Sequence, residues 1–79
     1  MSDRFDSCRD FKTEWTKYGD IRVSFCCAND VHPWDLAMSI EYKCLQKYPD
    51  FALTSMYRYI RGGMSDWFMI FKKGQFNGR

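Results

Sequence analysis

The chain is poor in the residues that most chemistry needs. It has one histidine, two prolines and no Cys-x-x-Cys spacing among its four cysteines. A nucleophilic site would have to bring His32 to Cys8, Cys26 or Cys27, and nothing in their spacing does so. Cys26 and Cys27 are adjacent, so on a strand their thiols leave opposite faces and cannot grip one zinc ion. Cys8, Cys27, His32 and Cys44 make a ligand set in composition only, and Cys27 and Cys44 read instead as small buried hydrophobes. The carboxylates are scattered, without an acid/base pair. Gly62-Gly63 has neither a following helix nor a lysine in phosphate-loop position, so it reads as a turn. The sequence therefore offers no catalytic residue, no metal ligand and no cofactor site, and the chain is expected not to be an enzyme.

Long apolar runs are also missing. No stretch approaches the roughly 20 apolar residues of a membrane span. The first twenty residues hold five Asp or Glu and four Lys or Arg, unlike a secretory leader. The expectation is a cytoplasmic protein with no membrane partner and with reduced thiols.

At 79 residues the chain is a single domain, 1–79, and a chain this short buries only roughly 60–65% of its unfolded surface. Aromatics, at 19%, are abundant, and large rings serve small cores and interfaces alike. Charge is uneven. Residues 1–57 carry seven Lys or Arg against nine Asp or Glu, whereas residues 58–79 carry five against Asp66 alone. The last hairpin is the basic end, suited to an acidic partner or to phosphates as well as to solvation.

Periodicity divides the chain into five elements. Arg9 to Thr16 alternates, with Phe11, Thr13 and Trp15 on one side, as a half-buried strand does. Lys17-Tyr18-Gly19-Asp20 reads as a hairpin turn. Ile21 to Ala28 is the clearest strand, with Ile21, Val23, Phe25 and Cys27 inward and Arg22, Ser24 and Cys26 outward. A helix follows over Val31–Lys47, capped by Asp30, with Pro33 in its first turn and Pro49 as its stop. Its apolar stripe is Ala37, Ile40, Cys44 and Tyr48, flanked by Leu36 and Leu45. Phe51 to Arg61 and Ser65 to Lys73 are strands three and four, joined at Gly62-Gly63. Met1–Ser7 and Gly74–Arg79 read as loose ends.

The predicted fold is α+β: a four-stranded, mainly antiparallel sheet in β-β-α-β-β order with one helix on one face. The most apolar stretch, Trp67-Phe68-Met69-Ile70-Phe71, has no polar side, so the last strand wants cover on both faces. Pairing it with the first strand, in parallel, is one way to place it centrally.

That strand also points toward function. If Trp67, Met69 and Phe71 face the helix, Phe68 and Ile70 face away. Leaving them wet forfeits on the order of 1.5–3 kcal/mol each. Their cover is the N-terminal arm, the tail with Phe76, a second copy or another molecule. The leading expectation is a protein-binding module, an inhibitor or adaptor acting on a host protein or protein complex. Its anchors are Tyr57, Tyr59, Phe68 and Ile70, and its charged rim is Arg58, Arg61, Lys72 and Lys73. Short chains without catalytic motifs are common among phage and mobile-element inhibitors, and that analogy suggests a viral origin. One alternative is a single-stranded RNA or DNA binder using the same aromatics and cations, although no RNP-type string occurs. Another is a homodimer that buries two open sheet faces together.

Overall fold

The structure is a computed structural model that describes residues 8–74. The remainder of the two expected loose ends, residues 1–7 and 75–79, lies outside the described residues, as does Phe76. Gly74, placed by the sequence in the loose tail, is instead tied down: its N–H donates to the Asp50 carbonyl at 2.9 Å.

The elements are β1 (Arg9–Trp15), β2 (Ile21–Ala28), α1 (Trp34–Lys47), β3 (Phe51–Arg61) and β4 (Met64–Lys73). They form the expected α+β fold, one four-stranded sheet with one helix. Strand order is β1-β2-β4-β3, and every neighbouring pair is antiparallel. The last strand is central, but a parallel pairing with β1 does not occur. β2 and β3 flank β4 instead, because the Gly62-Gly63 turn returns the chain directly along β3.

Alternation builds the core. Ile21, Val23, Phe25 and Cys27 from β2 meet Trp67, Met69 and Phe71 from β4, and Ala37 and Phe51 close over them. Phe71, Ile21 and Met69 are fully buried. Leu36, Ile40, Cys44, Leu45 and Tyr48 of the helix stripe pack against this cluster. At one end Trp15 meets Tyr48 and Phe51 edge-on, with ring centroids 5.5 and 5.9 Å away.

The helix starts three residues later than its periodicity suggests, and Asp30 does not cap it. The α region is disfavoured for a residue before proline, so His32 stays outside the helix. Val31 N–H turns back to the Ala28 carbonyl, and the first helical bond runs from Ala37 N–H to the Pro33 carbonyl at 2.8 Å. Pro33 itself takes the N-cap place, with no side-chain cap, and is wholly buried.

Two polar side chains hold the turns. Thr16 Oγ1 accepts from the Tyr18 and Asp20 N–H groups, and Gly19 takes a positive φ of 82°. Asn29 fastens the β3–β4 turn: its Nδ2 donates to the Gly62 carbonyl, and Ser65 Oγ, fully buried, donates to its Oδ1 at 2.6 Å.

Both edge strands contain one extra residue. β1 is irregular between Arg9 and Lys12, where Asp10 has φ 60°, and β3 is irregular between Leu53 and Ser55. An inserted residue of this kind shifts every side chain beyond it to the other face.

Met69→Ala is expected to lower unfolding free energy by about 2–5 kcal/mol through the cavity it leaves. Ile60→Ser, at a position 61% exposed, should change it by less than about 0.5 kcal/mol. Urea unfolding of the two variants checks this contrast.

Candidate docking face on the open side of the sheet

The sheet face opposite α1 is assembled by the irregularity in β3. With strict alternation from Phe51 and Leu53, Tyr57 and Tyr59 would point toward the helix. Thr54 is the extra residue, and its Oγ1 donates to the Ile70 carbonyl at 3.2 Å. Beyond it Met56 turns inward to the core, and Ser55, Tyr57, Tyr59 and Arg61 turn to the open face. There they stand beside Met64, Asp66, Phe68, Ile70 and Lys72 of β4.

The centre of this face is aromatic. Tyr57 and Phe68 are direct cross-strand partners and stack at 5.2 Å, 17° from parallel. Tyr59 meets both edge-on, at 6.0 Å from Tyr57 and 5.9 Å from Phe68. Phe68 and Ile70 are half-buried, and Tyr59 remains 63% exposed. The Arg22 guanidinium lies 5.9 Å from the Phe68 ring centre, a cation–π arrangement.

Around the rings, the cations already have carboxylates. Arg61 forms a two-pronged pair with Asp66, Nε to Oδ2 at 2.8 Å and Nη2 to Oδ1 at 2.9 Å. Arg22 Nη2 donates to Glu14 Oε2 at 2.6 Å, and Lys72 Nζ lies 3.6 Å from Asp20 Oδ2. The hydrogen bonds from Arg61 hold the Asp66 carboxyl below the usual aspartate range, and the one from Arg22 does the same for Glu14. Cys26 sits beneath Arg61 and Asp66, buried, and that burial pushes its thiol up.

Six of the eight residues singled out in the sequence share this face: Tyr57, Tyr59, Arg61, Phe68, Ile70 and Lys72. Arg58 and Lys73 do not. Arg58 pairs in register with Trp67 and Lys73 with Phe51, which puts both on the helix side. The Arg58 guanidinium rests 5.4 Å from the Trp67 ring centre, and Trp34 meets the same ring edge-on at 5.5 Å. Trp67 Nε1 is buried and finds no acceptor among the described residues. Sequence reasoning did not assign Arg22, Glu14, Asp20 or Asp66 to the site. The outward set Arg22, Ser24, Cys26 was visible in β2, but its neighbours depend on strand order.

Two further surfaces lie on the helix side. Trp34, Met38 and Tyr42, four residues apart along α1, are each more than half exposed. A cleft of about 350 Å³ opens between α1 and β1, lined by Phe11, Val23, Ile40, Cys44 and Tyr48 among others. Among the described residues, no three His, Cys, Asp or Glu side chains gather as a metal site, and no helix is long and apolar enough to cross a membrane.

No protein-family model, curated protein or solved structure matches the chain.

The Arg61–Asp66 pair has a readable pH dependence. A carboxyl whose pKa is lowered by folding stabilises the fold above its unfolded pKa, and loses that contribution as pH falls through the folded value. Arg61→Ala should return the Asp66 carboxyl upward toward ordinary aspartate behaviour. NMR titration of the side-chain carboxyl carbon in the two proteins measures the difference.

Proposed function

We propose that this chain is a non-enzymatic binding module that docks a protein partner on the open sheet face. One observation carries the reading: Tyr57, Tyr59 and Phe68 form a partly exposed aromatic cluster, ringed by cations that are already neutralised in place. Aromatic centres with arginine nearby are what protein interfaces concentrate their energy in. An interface residue such as Arg61, held by Asp66, enters a complex with less ordering still to be lost.

The arrangement favours a protein over a polynucleotide on two grounds. Bases stack on the free faces of rings, but Tyr57 and Phe68 lie against one another. Binding to phosphates draws on cations that can release counterions, and Arg22, Arg61 and Lys72 each have a carboxylate partner. Action on a host protein as an inhibitor or adaptor is the form of binding that the size of the chain and its lack of catalytic motifs suggest. That step is analogy only.

The experiment is capture of partners from the native host lysate by the full chain, with and without nuclease, alongside Tyr59→Ala and Met38→Ala. A protein retained after nuclease, lost with Tyr59→Ala and kept with Met38→Ala, is the expected result. Tyr59→Ala should weaken the isolated complex by about 30-fold or more, as truncation of an interface anchor does. Affinity should change less than about tenfold between 50 and 200 mM salt, whereas several phosphate contacts would change it by about 10³–10⁵. Nuclease-sensitive capture would replace this reading with a single-strand binder. Concentration-dependent self-association abolished by Tyr59→Ala would replace it with a homodimer.

A further inference from the structure

We propose that Cys8 and Cys27 are a paired redox site, closing to a disulfide between β1 and β2 when the folded chain meets a disulfide oxidant such as oxidised glutathione. The pair is created by the irregularity at Asp10. Under strict alternation from Phe11, which stacks on Phe25 on the helix side, Cys8 would fall on the open face. The extra residue reverses this. Arg9 comes opposite Cys26, so the next step of the ladder sets Cys8 opposite Cys27, and Cys8 packs against the buried core that contains Cys27.

The backbone phase places this pair where a bridge fits. Thr16 N–H donates to the Asp20 carbonyl, so the even-numbered residues of β2 bond toward β1. Asn29 N–H donates to the Gly63 carbonyl, so the odd-numbered residues bond toward β4. Cys27 is odd. Its position opposite Cys8 is thus a non-hydrogen-bonded one, where paired Cα atoms approach to about 4.5 Å and side chains are closest. That separation lies within the range a disulfide spans.

Accessibility assigns the order of events. Cys8 is half-buried, and Cys27 exposes nothing. Cys8 gives its proton to solvent, and its thiolate attacks one sulfur of oxidised glutathione. The glutathione S–S bond breaks, and one glutathione leaves as thiolate. Cys27 then loses its proton and attacks the Cys8 sulfur of the mixed disulfide, and the second glutathione leaves. Two protein thiols are oxidised to one disulfide, and one glutathione disulfide is reduced to two thiols. Burial, with Cys27 beside it, pushes the Cys8 thiol up to about 12. Only the thiolate attacks, so the rate should rise about tenfold per pH unit between pH 7 and 9.

The test uses the full chain as Cys26→Ser/Cys44→Ser, incubated folded with oxidised glutathione. Intact mass should fall by two hydrogens with no glutathione retained, and both thiols should resist alkylation until dithiothreitol is added. Once the mixed disulfide at Cys8 has formed, its closure by Cys27 should be at least about tenfold faster than in denaturing urea, because folding holds the two sulfurs together. The melting midpoint should rise by about 5 °C or more, since the bridge constrains the unfolded chain. If the double variant does not fold, peptide mapping of the oxidised natural sequence should join the Cys8 peptide to the Cys26-Cys27 peptide, and Cys27→Ser should abolish that link while Cys26→Ser leaves it. A folded chain that stays reduced, that keeps glutathione as a stable mixed disulfide, or whose mixed disulfide closes no faster than in urea overturns the proposal. So does a Cys8–Cys26 link.

Discussion

A strand that is apolar on both sides needs two coverings, and among the described residues there is one helix. β4 sends Trp67, Met69 and Phe71 into the core against α1, where burial of such side chains stabilises by roughly 1.5–3 kcal/mol each. The same backbone has to send Phe68 and Ile70 the other way. Much of the remaining architecture is a response to that. β4 sits centrally, where β2 and β3 shield its flanks, and the aromatic side chains of β3 lean over Phe68 as partial cover. The open face is therefore stabilised from within the sheet while keeping Tyr59 in reach of solvent.

The paired charges belong to the same response. A bare guanidinium beside an apolar cluster would hold water over it. Arg61 bound to Asp66, and Arg22 bound to Glu14 while resting over Phe68, present less hydrated groups at the border of the rings. These are exposed pairs, and exposed pairs stabilise little. Their effect lies in the charge of the surface, since Arg22, Arg61 and Lys72 each stand beside a carboxylate.

How far the molecule could be read from its residues follows from the range of each signal. The inward set of β2, the helix stripe around Ala37 and Cys44, and the two-sided apolarity of β4 are periodicities within one element, and each was legible. The helix start was misplaced because Pro33 was read as a first-turn residue. It stands outside the helix, and its restriction falls on His32. Strand order depends on contacts across the whole chain, and no local pattern carries it. Arg58 and Lys73 were grouped with the open face on charge and chain proximity, and register separates them from it. The inserted residues were invisible. Thr54 is β-branched and fits a regular strand, and Asp10 continues the polar alternation of β1, yet they decide which face Tyr57, Tyr59 and Cys8 occupy. Asn29 was read only as a boundary, although its contacts to Gly62 and Ser65 connect β2 to the last hairpin.

The distribution of those irregularities has a meaning for how copies of the chain meet. The two central strands pair without interruption along β2–β4, and both interruptions fall on the outer strands. A sheet margin is a row of unsatisfied amides that can template another chain, and growth of that kind needs a flat, regular margin. Asp10 bends one margin and Thr54 the other. Ordered stacking of sheets edge to edge is thereby discouraged at both ends, leaving Ser55 to Arg61 as the longest regular margin. Along that margin Arg58, which rests over the Trp67 ring, stands among the tyrosines, so an approaching identical strand meets like charge. The aromatic surface thus lies beside sheet margins that irregularity and charge make poor templates for a second strand.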